Sequence, residues 1–253
     1  MDTTFFGEFG VMVFRGNPKG GKEYVNLYWK YVTTEKISDY LSGVYYLRQF
    51  YQIISFTVDD RKGLITALER RYKNIPVQLC QFHFVKNILK YTGRPKFNSK
   101  HKDYLRLQSS LRLQSSLRLQ SSTSHNPEFN PQDKPKLELM ELVLRLKKLN
   151  QNQFQSELAV YLENNLDYIQ TRTIQSHKYL HRGIRTALSN IKRNLKYIFA
   201  YNQIQNQELN IPKTTNSDEG SFGNWKYKIK LHRHLSLTRK KQMIDEILGS
   251  KST

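Results

Sequence analysis

Strand and helix patterns alternate along the amino-terminal third of the chain, and this alternation constrains the fold more than any other feature. Two β-branched and aromatic runs, Phe9–Phe14 and Leu27–Val32, flank a glycine-containing loop and predict an antiparallel hairpin. Helical and short apolar strand patterns then follow one another, over residues 35–50, 53–58, 62–72 and 77–82. Because these strands alternate with helices, we expect right-handed crossovers and a mixed sheet, which defines an α/β fold.

The rest of the chain changes character twice. The hexapeptide Leu-Arg-Leu-Gln-Ser-Ser occurs three times in tandem at residues 105–122, and a period of six fits neither a helical face nor a heptad. We interpret it as an expansion in a surface loop, where added length costs little. Leucine-rich helical patterns then run from Lys136 to about Ile204. The sequence thus predicts a first core segment, a low-complexity linker, an all-α insertion and a closing core segment, over residues 1–97, 98–135, 136–210 and 211–253.

The high positive net charge indicates which kind of molecule the chain binds. Lysine and arginine together number 41 against 21 acidic residues, which gives a net charge of +20. Such a chain repels itself unless a polyanion neutralises it, and nucleic acid is the commonest polyanion, although a ribosome-type structural role and a membrane-surface role remain open. No apolar run reaches the roughly 18 residues of a membrane span. The single cysteine, Cys80, fits a reducing compartment, so we expect a cytoplasmic protein.

Three acidic residues occur where a cation site could form. Asp59 directly follows a predicted strand, which is where open α/β sheets place ligand-binding groups. Asp2 begins a β-prone stretch, and Glu219 lies on a late helix. Oxygen ligands from strand ends and a helix can converge on divalent cations, so these three acids form the candidate metal site. Side chains alternate along a strand, which puts Asp60 on the opposite face from Asp59 and favours Asp59 as the ligand.

The late helix combines its acid with a basic face. The spacing of Asn216 and Glu219 is that of a capping box and predicts that Asn216 caps the helix. Steps of three and four residues put one acid, one glycine and three cations on a common face: Glu219, Gly223, Lys226, Lys230 and Arg233. An adjacent apolar stripe, formed by Phe222, Trp225 and Ile229, is predicted to bury against a sheet.

Four short motifs follow in order along the chain. They are Asp2-Thr-Thr-Phe-Phe-Gly, Val58-Asp59 with Arg61 and Gly63, Cys80-Gln-Phe-His83, and Thr215-Asn216 leading to Glu219-Gly220, then His232 and Leu235-Ser236. Together they resemble the mutator-type insertion-sequence transposases, over nearly the whole chain, and most closely the variant whose full-length members begin with a zinc-binding segment. The resemblance implies a ribonuclease H-like fold with a helical insertion before the last catalytic helix. It also implies an Asp-Asp-Glu triad of Asp2, Asp59 and Glu219, with Mg²⁺ or Mn²⁺ as the cofactor.

The resemblance further implies cleavage and strand transfer of double-stranded DNA, at transposon ends and target, in a complex that can be homo-oligomeric. This sequence departs from the pattern at two places. Asp60 stands where relatives usually have glycine, but aspartate tolerates left-handed backbone, so we expect the turn to survive. Met1 immediately precedes the first aspartate. We therefore expect an N-terminally truncated core in which Asp2 is poorly held and activity is weak.

Other residues receive supporting roles. Cys80 and His83 are unsuited to zinc, because no second cysteine exists, and we predict that they pack beside the active site or support its ligands. The segment between Ser221 and Ile244 contains no acid, and a second basic patch occurs on the predicted insertion. The predicted DNA contacts, mostly to phosphates, are Lys226, Lys230, Arg233, Arg239, Lys240, Lys192, Arg193 and Lys196.

Two other functions remain open. A junction resolvase is also a ribonuclease H-like nuclease, but those families lack the Thr-Asn-x-x-Glu-Gly and Cys-x-x-His strings that occur here. The alternative from a different class is a catalytically impaired, non-specific DNA-binding remnant of a transposase. Asp60, the tandem repeat and the missing upstream region all favour that alternative.

Overall fold

The structure is a computed structural model. It describes residues 1–18, 24–92, 134–173, 178–232 and 234–250, without the side chains of Ile204 and residues 216–221. The tandem repeat and Arg233 therefore lie outside the described residues. The chain divides into two compact units, one formed by Met1–Val85 with Arg193–Thr253 and the other by Lys86–Lys192.

Strands and helices are both present, as an α/β protein requires. The described strands are β1 Asp2–Phe5, β2 Gly10–Gly16, β3 Val25–Val32, β4 Phe56–Val58 and β5 Val77–Leu79. The described α-helices are α1 Ile37–Leu47, α2 Leu64–Arg71, α3 Gln81–Tyr91, α4 Lys134–Leu144, α5 Gln151–Asn164, α6 Leu166–Gln170, α7 Arg182–Ile198, α8 Asn216–Leu231 and α9 Leu237–Gly249. No helix in the described part of the chain is long and apolar enough to cross a membrane.

Strands β1, β2 and β3 form an antiparallel sheet in that order, which confirms the predicted hairpin. Asp2 lies opposite Val13 in the β1–β2 register, so both side chains point to the same face. Helix α1 packs on the other face, where Gly43 is required because a Cβ there would lie 2.2 Å from the Phe14 ring. The sheet is thus covered on both faces within the first unit.

Helices α8 and α9 cover the face that carries Asp2. Phe222, Trp225 and Ile229 are buried against Val11 and Val13 of β2, which confirms the predicted apolar stripe. Burial of each such side chain contributes about 2 kcal/mol of stability. Helix α9 is also held by polar contacts, since the Asp245 carboxylate accepts hydrogen bonds from the Trp29 indole (2.7 Å) and the Tyr31 hydroxyl (2.8 Å). The position of α9 on the sheet is therefore fixed by both apolar and polar contacts.

Strands β4 and β5 form a separate two-stranded parallel sheet, connected through α2. Both strands are shorter than predicted. Residues 53–55 are not in a strand, and after Leu79 the chain turns directly into α3, because the Phe84 amide donates to the Cys80 carbonyl (3.0 Å). The Met1 ammonium group donates to the Thr57 carbonyl (3.0 Å), which links the beginning of β1 to β4.

The second unit is helical in its described part. Helix α5 begins with a capping box in which Asn150 and Gln153 exchange side-chain-to-backbone hydrogen bonds. Leu139, Leu142 and Leu146 are buried, as the leucine spacing predicts. The Tyr161 hydroxyl donates to the Pro135 carbonyl (3.0 Å) and ties α5 to α4.

Candidate metal centre

Two of the three predicted acids lie together at the ends of β1 and β4. Asp2 is the first residue of β1, and Asp59 directly follows β4, whose Thr57 carbonyl accepts the hydrogen bond from Met1. Asp2, Asp59 and His83 each offer one ligand atom, and these three atoms lie within 4.8 Å of one another. Groups from β1, from the turn after β4 and from the first turn of α3 thus converge on one point, although they are far apart in the sequence.

His83 lies between the two carboxylates. Its Nε2 is 4.0 Å from Asp2 Oδ2, and its Nδ1 is 3.8 Å from Asp59 Oδ1. Burial alone would lower the pKa of His83, but a hydrogen bond with the Cys80 sulfur and the charges of Asp59 and Asp2 raise it to about 9. A protonated imidazole at neutral pH therefore balances part of the negative charge of the two acids. We predicted only a supporting role for His83, and the structure places it in direct contact range of both acids.

The two carboxylates have different surroundings. The Asp2 side chain is 9% exposed and that of Asp59 is 37% exposed. Burial raises the pKa of Asp2 to about 6, although the charge of His83 opposes this shift. The Thr3 amide donates to Asp2 Oδ1 (2.7 Å), which fixes the orientation of the carboxylate. Asp2 is therefore paired, buried and oriented, which differs from the poorly held group expected from its place in the sequence.

The turn after Asp59 accommodates Asp60 without strain. The Asp60 amide donates to Asp59 Oδ1 (2.5 Å), and the Arg61 amide donates to the Asp59 carbonyl (2.8 Å). Among the described residues the only non-glycine residue with a positive φ is Asn210, so Asp60 does not use the left-handed conformation that we considered for it. Gly63 does so instead, at φ 83°, immediately before α2. Among the described acids it is Asp59, not Asp60, that meets Asp2 and His83.

Cys80 anchors the start of helix α8 beside this cluster. Its buried sulfur accepts hydrogen bonds from both the Thr215 amide and the Thr215 hydroxyl, each at 3.3 Å. The preceding residues are held too, because the Pro212 carbonyl accepts from the Thr57 hydroxyl (2.9 Å) and the Lys213 carbonyl accepts from the Gln81 amide (2.9 Å). The predicted cap is wrong: Thr215, not Asn216, is the N-cap, and its hydroxyl contacts Cys80 instead of the helix backbone.

Glu219 lies in the first turns of α8, and its side chain is outside the described residues. Its backbone position follows from the anchor at Thr215 and the buried stripe that begins at Phe222. Four residues of helix span about 6 Å along the axis, so Glu219 lies one turn from the Cys80 contact. The same helix covers the sheet face that carries Asp2.

A polar network behind the cluster was not apparent from the sequence. The Thr3 hydroxyl is 2.8 Å from the Tyr40 hydroxyl, which donates to Glu35. Arg61 forms an ion pair with the same carboxylate at 2.7 Å. This network joins β1, α1 and the turn after Asp59, so it holds both acid-bearing segments. Of these residues only Arg61 was singled out in the sequence, because it belongs to the motif that contains Val58 and Asp59.

The predicted DNA contacts are mostly exposed. Lys226 and Lys230 are exposed on α8, Arg239 is exposed on α9 and Lys240 beside it is half-buried, whereas Arg233 lies outside the described residues. Lys192, Arg193 and Lys196 are exposed on α7. Lys196 is already engaged, since its Nζ lies 3.3 Å from a Glu69 carboxylate oxygen and 4.4 Å from the centre of the Tyr197 ring.

The fold and the site thus define a mixed α/β protein with a cluster of two carboxylates and a histidine, next to a helix with exposed cations. Residues 46–107 match the family model described as "Transposase, Mutator family". This segment is less than half of the chain and contains Asp59, Cys80 and His83, but neither Asp2 nor Glu219. No curated protein and no solved structure matches the chain. The family match supports the mutator-type transposase class that the motifs imply.

Proposed function

We propose that this chain is the catalytic core of a mutator-type DNA transposase, which cleaves and joins DNA strands with Asp2, Asp59 and Glu219. The observation that carries the proposal is the meeting of Asp2, Asp59 and His83 within 4.8 Å, on elements that include the segment similar to Mutator transposases. The anchoring of α8 through Thr215 and Cys80 supports Glu219 as the third acid.

The strand arrangement supports a ribonuclease H-like fold. The three-stranded sheet has β1 at its edge, the parallel pair has β4 at its edge, and the Met1–Thr57 hydrogen bond joins these two edges. Extending the sheet across this hydrogen bond would give the order β3, β2, β1, β4, β5, with the acids on β1 and directly after β4. In this arrangement the helical unit precedes α8, which carries Glu219.

The donor set fits a divalent cation. Carboxylate oxygens are the ligands that Mg²⁺ and Mn²⁺ prefer, and Asp2 and Asp59 offer them at one point. Asp2, Asp59 and Glu219 would hold the metal, and His83 would orient the first two. When bound, the metal would activate a water or a DNA 3′-hydroxyl and stabilise the departing oxygen. Lys226 and Lys230, exposed on the helix that carries Glu219, would hold phosphates of the DNA.

Nicking of supercoiled DNA in Mg²⁺ or Mn²⁺ tests this function. We expect metal-dependent nicking by the unaltered chain and its loss in Asp59→Asn, whereas the matched neighbour variant Asp60→Asn retains it. No nicking by the unaltered chain, with duplex binding intact, would instead support the non-catalytic DNA-binding alternative. Loss in Asp60→Asn with activity in Asp59→Asn would show that the ligand assignment is wrong.

A further inference from the structure

A group of exposed rings lies close together in the sequence where α1 ends. Tyr45, Tyr46 and Phe50 are 59%, 44% and 62% exposed, and Tyr51 beside them is 38% exposed. These four residues are called the ring platform below. Two of the rings form a series with Tyr28 of β3, since the Tyr28–Tyr46 centroids are 4.9 Å apart and the Tyr46–Phe50 centroids 5.2 Å. A group of large exposed rings of this kind marks a binding surface.

Exposed cations lie at the ends of α1 and α2, beside the segment that carries the ring platform. The carboxyl ends of helices α1 and α2 lie side by side: the Arg48 guanidinium, just after α1, is 5.1 Å from the centre of the Tyr72 ring, just after α2. Arg48 is exposed, and so are Arg70, Arg71 and Lys73 at the end of α2. Among the described residues none of these four cations forms an ion pair. The sequence has no acid between Asp39 and Asp59, and the nearby Glu69 is engaged by Lys196 and by the Tyr197 hydroxyl.

A groove of about 700 Å³ continues from this surface. The residues that follow the ring platform, Gln52 to Ile54, line it together with Lys73 and Lys196. Amide side chains at Asn74, Gln203 and Asn206 add hydrogen-bonding groups. The groove lies at the amino ends of β4 and β5, whereas Asp59 and Cys80 follow their carboxyl ends. It is therefore separate from the candidate metal centre.

We infer that the ring platform and its cations bind single-stranded nucleic acid. Exposed rings stack on bases, and bases present their faces only where a strand is unpaired, while the cations neutralise phosphates. Self-association through the rings is the competing use of this surface, and the net charge of +20 opposes it. The inference does not depend on the metal centre, so the two can fail separately.

Binding of a short fluorescent oligothymidylate to the full chain in EDTA tests the inference. Because each stacked base contributes roughly tenfold in affinity, Tyr45→Ala with Phe50→Ala should weaken binding at least about tenfold. Tyr45→Phe should bind as the unaltered chain does. Tyr91→Ala, which removes an exposed ring on α3 outside the platform, is the matched control and should change nothing.

Changing Arg70, Arg71 and Lys73 together to Ala should lower the slope of log affinity against log salt by about 2, since each phosphate contact on a single strand contributes roughly 0.7. If the ring variant does not fold, a 5-iodouracil oligonucleotide should photocrosslink the unaltered chain in the tryptic peptides Ile37–Arg48 and Gln49–Arg61. Crosslinks only elsewhere, or unchanged affinity in a folded ring variant, would overturn the inference. So would a dimer of the unaltered chain that the ring variant converts to monomer.

Discussion

Helices α1 and α2 begin together and end together, and their two ends carry opposite chemistry. At their beginnings, where Gly63 packs on Ile37, acidic side chains are held by hydrogen bonds and ion pairs. At their ends, where Arg48 covers Tyr72, the side chains are basic or aromatic and exposed. A helix of 11 residues separates the two regions by roughly 16 Å.

The comparison shows that the side chains for a metal ion must be held more firmly than the side chains for a nucleic-acid strand. A cation site requires ligand atoms that are already in position, and the acidic end holds Asp2 and Asp59 through Thr3, His83 and the amides of the Asp59 turn. A surface for a polyanion can instead adjust its side chains to each bound strand. The following predictions separate the two ends, beginning with the largest effect.

Removing one of the proposed metal ligands should abolish cleavage and leave single-strand binding unchanged. Asp2→Asn and Glu219→Gln should each lower metal-dependent nicking at least about a hundredfold, because a bound metal contributes several kcal/mol to transition-state stabilisation. Single-strand binding in EDTA should stay as it is. A parallel loss of both activities would mean that the acids hold the fold rather than the metal.

Weakening the contact that anchors the start of α8 should give a smaller loss of nicking activity than removing a metal ligand. Thr215→Val removes the hydroxyl that donates to Cys80, and we expect about tenfold weaker nicking, the size seen when partners of metal ligands are removed. Thr215→Ser should restore activity. The adjacent Thr214→Val is the matched control, and equal losses in both variants would contradict the role of the Cys80 contact.

Duplex binding should respond to cations on α8 and not to the ring platform. Changing Lys226, Lys230 and Arg233 together to Ala should lower the salt slope for duplex DNA by up to about 3, at roughly 0.9 for each phosphate contact. The weakening should be the same for all sequences, because phosphates carry no sequence information. A loss confined to one sequence would show that these residues read bases.

The acidic end should also make stability depend on pH when no divalent metal is present. The pKa of Asp2 is raised to about 6, so between pH 3.8 and 6 the folded chain keeps a proton that the unfolded chain loses. The pKa of His83 is raised to about 9, so the same holds between pH 6.5 and 9. The free energy of unfolding should therefore fall as pH rises through both ranges. Thermal unfolding in EDTA measures this. Asp2→Asn should remove the fall in the lower range and reduce the fall in the upper range, because the charge of Asp2 contributes to the raised pKa of His83.

The sequence predicted the helices and the hairpin well, because these depend on local periodicity. It also predicted the face of α8 that packs on the sheet, since Phe222, Trp225 and Ile229 are spaced for one stripe. The length of strand β4 was overestimated, because Ile53 and Ile54 are apolar and fit a strand pattern, whereas in the structure they precede the strand and line a groove.

The contacts within the site were less predictable, because they join residues far apart in the chain. The Thr215–Cys80 hydrogen bonds connect residues 135 positions apart, and nothing local signals that a threonine hydroxyl will donate to a cysteine instead of capping its helix. The high pKa of His83 likewise follows from its partners and not from its neighbours in the sequence.

The central claim is that Asp2, Asp59 and Glu219 surround one metal ion. Cleavage of the polypeptide by Fe²⁺ added to that site tests the claim most directly. Fe²⁺ replaces Mg²⁺ at oxygen-ligand sites, and with ascorbate and peroxide it generates radicals that cut the nearby backbone. We predict cuts near Asp59 and near Glu219, both suppressed by excess Mg²⁺ and both lost in Asp59→Asn. Cuts near Asp59 without any near Glu219 would contradict the claim, because they would place the late helix away from the metal.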